Sequence, residues 1–209
     1  MINPMRKFLL VIVVLLMVAC NEEFTPKPRG YFKIEFPQHQ YQTFDRPGFP
    51  YKFEYPVYAQ VVQDSTFFEN TPENPYWINI DFPRFKGKIY ISYKKIGVNS
   101  FDKLKEDAYK MTYKHTVKAT SIVDSPIYTP LGVSGIYFTV GGNAATGKRF
   151  FLSDSTRHFL RGALYFDTTP NEDSLSVVNS FLEKDVLHLI NTFQWVNPAA
   201  VDQPKKAKK

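Results

Sequence analysis

The chain has 209 residues, of which 16% are aromatic and 22% charged, with a mean hydropathy of −0.29 and one cysteine. A lone cysteine excludes any intrachain disulfide. The formal charge of +6 is an end effect, because between Cys20 and Asn197 there are 20 basic and 19 acidic residues. So balanced a body lacks the basic footprint of a nucleic-acid binder.

The chain opens with Arg6 and Lys7 and no acid, followed by 12 apolar residues at 8–19 (FLLVIVVLLMVA) and then Cys20. Charge, greasy run and small Ala19 come in the order of a secretory signal, and the run is shorter than the roughly 18 residues of a spanning helix. Met17-Val18-Ala19-Cys20 fits a bacterial lipobox. The expectation is a signal peptide over residues 1–19 and acylation of Cys20, with palmitate or similar chains. Two acyl chains hold a protein stably on a membrane. The alternatives are an ordinary signal with an incidental cysteine, or an uncleaved anchor. Lipidation would engage the only thiol and so leave no cysteine nucleophile or Cys/His metal site.

Residues 20–30 (CNEEFTPKPRG) read as a Pro-containing tether, 31–197 as one globular domain, and 198–209 as a disordered lysine-rich tail. Such a tail is either a solvated end or a grip on anionic lipid or glycan. Within the domain, residues 31–36 (YFKIEF) and 51–55 (YKFEY) alternate as strands, separated by a turn-rich stretch at 37–50. Prolines at this density suit edge strands and ordered loops. Residues 76–81 and 87–96 predict two more strands, the second with Ile89, Ile91 and Tyr93 on one face and Lys88, Ser92 and Lys94 on the other.

Phe101, Leu104, Ala108, Met111 and His115 then form a helical stripe, with Asn99 as its cap. Strands follow at 117–123, 133–140, 149–153 and 158–166, the last two joined by a turn at Asp154-Ser155-Thr156. Leu175, Val178, Leu182, Val186, Leu189, Ile190 and Phe193 make a closing helix, capped by Asn171 or Ser174, with Trp195 packed at its end. Strands, helix, strands, helix with hairpin connections predict an α+β domain, mainly an antiparallel sheet covered by the two helices. The order resembles the PsbP/Mog1 type of sandwich, a likeness of fold that carries no activity. The aromatics Tyr51, Phe53, Tyr55, Tyr58 and Trp77 are core if inward and a binding face if exposed, with core the default.

Four patterns invite chemistry and lack its requirements. Residues 142–148 (GNAATGK) approach a phosphate-binding loop, but Arg149 stands where a Ser or Thr must hold magnesium, and a strand follows where a helix is needed. No nucleotide is expected; the glycines read as a turn. Ser153, Asp154, Ser155 and His158 suggest a hydrolase, yet neighbours in one turn rarely make a nucleophile–base–orienter line, and no Gly-x-Ser-x-Gly elbow exists. Turn polars plus a surface histidine is the plainer reading. His39, His115, His158 and His188 show no metal-ligand spacing. The acid pairs Glu22-Glu23, Glu106-Asp107 and Glu172-Asp173 show no environment that would split their pKa values. No catalytic residue, metal or cofactor is expected.

Longer words are more specific. Residues 28–34 (PRGYFKI), 53–56 (FEYP), 82–87 (FPRFKG), 89–94 (IYISYK), 114–116 (KHT), 142–145 (GNAA) and 158–166 (HFLRGALYF) resemble the gliding-motility lipoprotein GldD family, from Cys20 to about Trp195. After the Asn-Ala-Ala segment, where the family carries serines, this chain has Thr146 and Gly147, which weakens any role resting on those hydroxyls. The resemblance implies a non-enzymatic part of the gliding apparatus of Bacteroidota, working with type IX secretion, anchored through Cys20, with other gliding or secretion lipoproteins or envelope proteins as partners. Asn21 is not the aspartate of inner-membrane retention, so the outer membrane is expected, on its periplasmic face. The acids Glu22 and Glu23 weakly resemble a surface-export tag. Other readings are a lipid-anchored envelope hydrolase or glycan-acting enzyme, and a ligand-binding module with a PsbP-like cleft.

Overall fold

A computed structural model describes residues 33–63, 73–98 and 100–196. The signal at 1–19, Cys20, the tether, the capping role given to Asn99 and the lysine tail lie outside the described residues. The chain divides into two compact units, Met1–Ile34 and Glu35–Lys209. Of the first only Lys33 and Ile34 are described, and the elements below belong to the second.

The strands are β1 (Tyr41–Phe44), β2 (Tyr51–Pro56), β3 (Gln60–Gln63), β4 (Ile78–Phe82), β5 (Gly87–Lys95), β6 (Ala119–Tyr128), β7 (Ser134–Gly142), β8 (Thr146–Ser153), β9 (His158–Phe166) and β10 (Gln194–Trp195). The helices are α1 (Phe101–Tyr113), continued by a 3-10 turn at Lys114–Val117, and α2 (Glu172–Thr192). Seven strands form one antiparallel sheet in the order β3-β4-β5-β9-β8-β7-β6, and β1-β2-β10 form a second, three-stranded one. The α+β class expected from the element order is the observed one.

Alternation along the central strands sends apolar groups to both faces of the large sheet. Ile89, Ile91, Leu152, Leu160 and Leu164 face α2, where they pack with Val178, Leu182, Val186 and Leu189. The residues between them, including Phe151 and Phe159, face α1 and meet Leu104 and Ala108. The two helices therefore cover opposite faces. Each side chain wholly buried this way, such as Leu182, Leu160 and Ile80 at 0% exposure, contributes about 1.5–3 kcal/mol.

The small sheet joins the α2 side. β2 pairs with β1 through Phe44↔Phe53 and with β10 through Trp195↔Tyr51. Tyr51 and Phe53, each 1% exposed, stack against Phe193. The aromatic segments are thus core, as expected by default.

Four details depart from the sequence reading. Within residues 33–40 there is no strand: Phe36 stacks on Phe181 of α2 at 4.3 Å instead of joining a ladder, and Pro37 lacks the N–H that a ladder needs. In α1, Met111 is exposed while Thr112 is buried, its Oγ1 donating to the Ala108 carbonyl, so the buried stripe is 104, 108 and 112, with Phe101 partly buried before it. His115 lies in the 3-10 turn beyond the helix, and Val117 there is exposed, so β6 starts at Ala119 and runs on through Pro126 as an edge strand. His158 is buried, not a surface histidine.

Candidate functional site

The large sheet carries ionic and polar groups on both faces, and the two faces treat them differently. On the α2 face, buried Asp185 accepts from Tyr41 Oη at 3.1 Å and from Tyr58 Oη, and lies 2.7 Å from His39 Nδ1. Burial and the Asp185 charge push the Tyr41 phenol up to about 12 and raise Tyr58 further. His188 Nε2 meets Glu54 at 2.7 Å. Lys148 Nζ donates to Glu183 at 2.6 Å, and Tyr137 Oη donates to the same oxygen at 3.0 Å. These pairs tie residues 39–58 and strands β7 and β8 to α2.

That geometry disposes of the phosphate-loop likeness. Lys148, the lysine such a loop would aim at phosphate, is buried in its ion pair with Glu183. The loop itself docks on the start of α2: Asn143 Oδ1 accepts from Glu172 N at 2.8 Å, beside the Asn171 cap on Ser174 N at 3.1 Å. Gly142 begins the turn at φ 86°, and a Cβ there would stand 2.6 Å from Thr120 N. Only glycine fits.

The Ser153, Asp154, Ser155 and His158 cluster is likewise engaged in folding the β8–β9 turn. Ser153 Oγ donates to the His158 carbonyl at 2.7 Å, and His158 Nδ1 pairs with Tyr93 Oη at 2.7 Å. Asp154 Oδ1 accepts backbone N–H bonds from Thr156, Arg157 and His158. Burial would raise the Asp154 carboxyl, but those three donors lower it below its ordinary value. Burial lowers the His158 imidazole. No nucleophile–base–orienter line forms among these four. Among the described residues no three His, Cys, Asp or Glu side chains gather as a metal site, and no helix is long and apolar enough to cross a membrane.

The α1 face is different. Beneath the second half of α1 and its 3-10 turn lies a cavity of about 280 Å³. Strands β5, β8 and β9 supply its floor with Ser92, Arg149, Arg161 and Ala163, while Ala108, Thr112 and His115 roof it. The register explains the meeting of the two arginines. β8 and β9 pair Arg149↔Ala163 and Phe151↔Arg161, so both guanidiniums rise on the face that carries Phe151 and Phe159. Gly162 lies between, and a Cβ on it would come 2.1 Å from the Phe150 ring; its absence lets that ring fill the underside of the floor.

Arg149 Nη1 donates to Tyr165 Oη at 3.3 Å and lies 3.0 Å from His115 Nε2. Among the described residues Arg161 Nη1 donates to the Met111 thioether, at 2.9 Å, a weak acceptor. Among the described residues neither arginine has a carboxylate within 4.0 Å. Burial lowers both guanidinium pKa values, and the Arg149 charge adds to the effect on Arg161, partly offset by Asp107 and Glu73. Burial and Arg149 also lower the His115 imidazole, so near neutral pH Nε2 is an acceptor for Arg149. The site can bind negative charge; it presents no acid–base pair.

The sequence reading missed this site. Its signal was the phase of the arginines: Arg149-x-Phe151 and Phe159-x-Arg161 place each cation in step with a buried phenylalanine. The words at 89–94, 114–116 and 158–166 also meet here, contributing Tyr90 and Ser92, His115, and Arg161, Gly162, Ala163 and Tyr165.

Comparison with known proteins gives the family. The model described as gliding motility lipoprotein GldD matches residues 21–195, and the chain belongs to that family. A search of curated proteins finds no match. Among solved structures the chain is similar to the solution structure of cyanobacterial PsbP (CyanoP) from Synechocystis sp. PCC 6803, at 10% identity and a TM-score of 0.40, covering 79% of this chain and 98% of that one. The α+β assignment itself rests on the register and helix packing above.

Proposed function

We propose that this gliding-motility lipoprotein is a non-enzymatic interaction module of the gliding apparatus, moored to the outer membrane by acyl chains on Cys20 and facing the periplasm. It positions or stabilises neighbouring envelope proteins that work with type IX secretion. The observation that carries the reading is the family match, which begins at residue 21, directly after the lipobox cysteine. An anchor on Cys20 followed by a short tether confines the domain to partners within reach of one leaflet. The binding role is supported by the cavity's cations, and the non-enzymatic role by the engagement of Ser153, Asp154 and His158 in their own turn.

Mass spectrometry of the mature protein tests the anchor: diacyl or triacyl Cys20 is expected, and an unmodified thiol overturns it. Crosslinking in living cells should capture other gliding or secretion components, and protease should spare the protein on intact cells. Digestion without lysis would move it to the outer surface. Loss of gliding in a folded His158→Ala variant would favour a hydrolase instead.

A further inference from the structure

We infer that the cavity beneath α1 is a binding site for a small organic anion, a carboxylate or phosphate monoester attached to an apolar body, held between Arg149 and Arg161. The reasoning begins with cost. Arg149 and Arg161 are half-buried, and drawing a cation part-way out of water with no acid beside it is unfavourable. Among the described residues no carboxylate answers these charges. The α1 core closes on Leu104, Ala108, Phe138, Phe151 and Phe159, and the charge pairs that lock the molecule lie on the α2 face. Two such cations in one cavity repel each other as well, and Met111, His115 and Tyr165 are few partners for ten N–H donors in total.

An oxyanion relieves all of this. The planar guanidinium presents parallel N–H pairs that match carboxylate or phosphate oxygens, and low dielectric around the floor strengthens each bond. The walls decide what else the ligand carries. Ala108, Phe138 and Ala163 offer hydrocarbon and an aromatic ring, which favours an apolar body over a bare inorganic ion. The volume of about 280 Å³ is near the lower limit of roughly 300–1,000 Å³ for drug-sized sites, so the body is small. His115 completes the site: protonated, it turns from an acceptor of Arg149 into a further donor. This inference stands independently of the gliding role.

The test uses the full chain purified in detergent and three probes: phenyl phosphate, benzoate and inorganic phosphate, followed by calorimetry and thermal melting. One of the two aromatic anions is expected to bind about tenfold or more tighter than inorganic phosphate, and which of them does so assigns the head group. Arg161→Met and Arg149→Met should each weaken that binding by at least about tenfold, whereas Lys52→Gln on the small sheet should leave it unchanged. Arg161→Lys keeps the charge but loses the fork, and should bind weakly while staying folded. The inference fails if neither aromatic anion binds below about 10 mM, if binding survives both methionine variants, or if inorganic phosphate binds as well as the aromatic anions.

Discussion

The two faces of the large sheet both carry charged side chains and use them in opposite ways. Under α2, Asp185, Glu183 and Glu54 each have a partner on another element, so the charges act as clamps. Under α1, Arg149 and Arg161 share a cavity with no carboxylate in contact. A charge placed for the fold comes with its counter-charge, and a charge placed for a ligand leaves the counter-charge to the ligand. Stability and binding can thus be altered separately in this molecule.

Mutations should break along that line. The largest loss is expected for Asp185→Ala, which strands His39, Tyr41 and Tyr58 and should lower unfolding free energy by about 3–5 kcal/mol, measured by urea denaturation. A loss below about 1 kcal/mol, the level of an exposed pair, would erase the contrast with the α1 face. Next comes Gly162→Ala, whose Cβ would meet Phe150 at 2.1 Å. Overpacking of this kind costs about 1–3 kcal/mol, and Phe150→Leu should recover part of it in the same assay. Lys148→Met and Glu183→Gln should then be non-additive, with a coupling of about 1–2 kcal/mol in a double-mutant cycle.

The smallest effect is on pH dependence. The folded-state pKa of His115 is lowered from its ordinary 6.5 by burial and by Arg149, so the unfolded chain takes up the proton first. Its contribution to stability is therefore complete above pH 6.5 and lost as pH falls through the window below it. His158 is shifted the same way by burial, so His115→Gln should flatten only part of the acid-side slope of stability against pH. A bound anion should favour the charged imidazole and flatten it further.

How much of this was legible depends on what each residue must satisfy. β5, β9 and α2 were readable because long apolar periods meet a face along their whole length, and β9 runs over His158–Phe166 as expected. β1, β3 and β10 were not: four residues such as Gln60–Gln63, or two such as Gln194–Trp195, have no period to read and exist only because a partner strand is present. Residues 33–36 misled in the other direction, since Phe36 answers to Phe181, far away in sequence. The arginine cavity follows from β8–β9 register, a non-local quantity; each arginine alone looks like an ordinary outward strand position. The side chains of the catalytic and phosphate look-alikes hold turns and an ion pair, Ser153 and Asp154 in the β8–β9 turn and Lys148 with Glu183.

The pairing of β10 with β2 has a bearing on how the molecule comes into being. A polypeptide threaded head first through a translocation channel cannot finish the small sheet, nor clamp residues 39–58, until residues 172–195 have emerged to provide α2 and β10. Premature closure, which would jam a narrow conduit, is thereby disfavoured by topology alone. Locking of the fold therefore waits on the last helix and strand, whatever route the earlier part of the chain has taken.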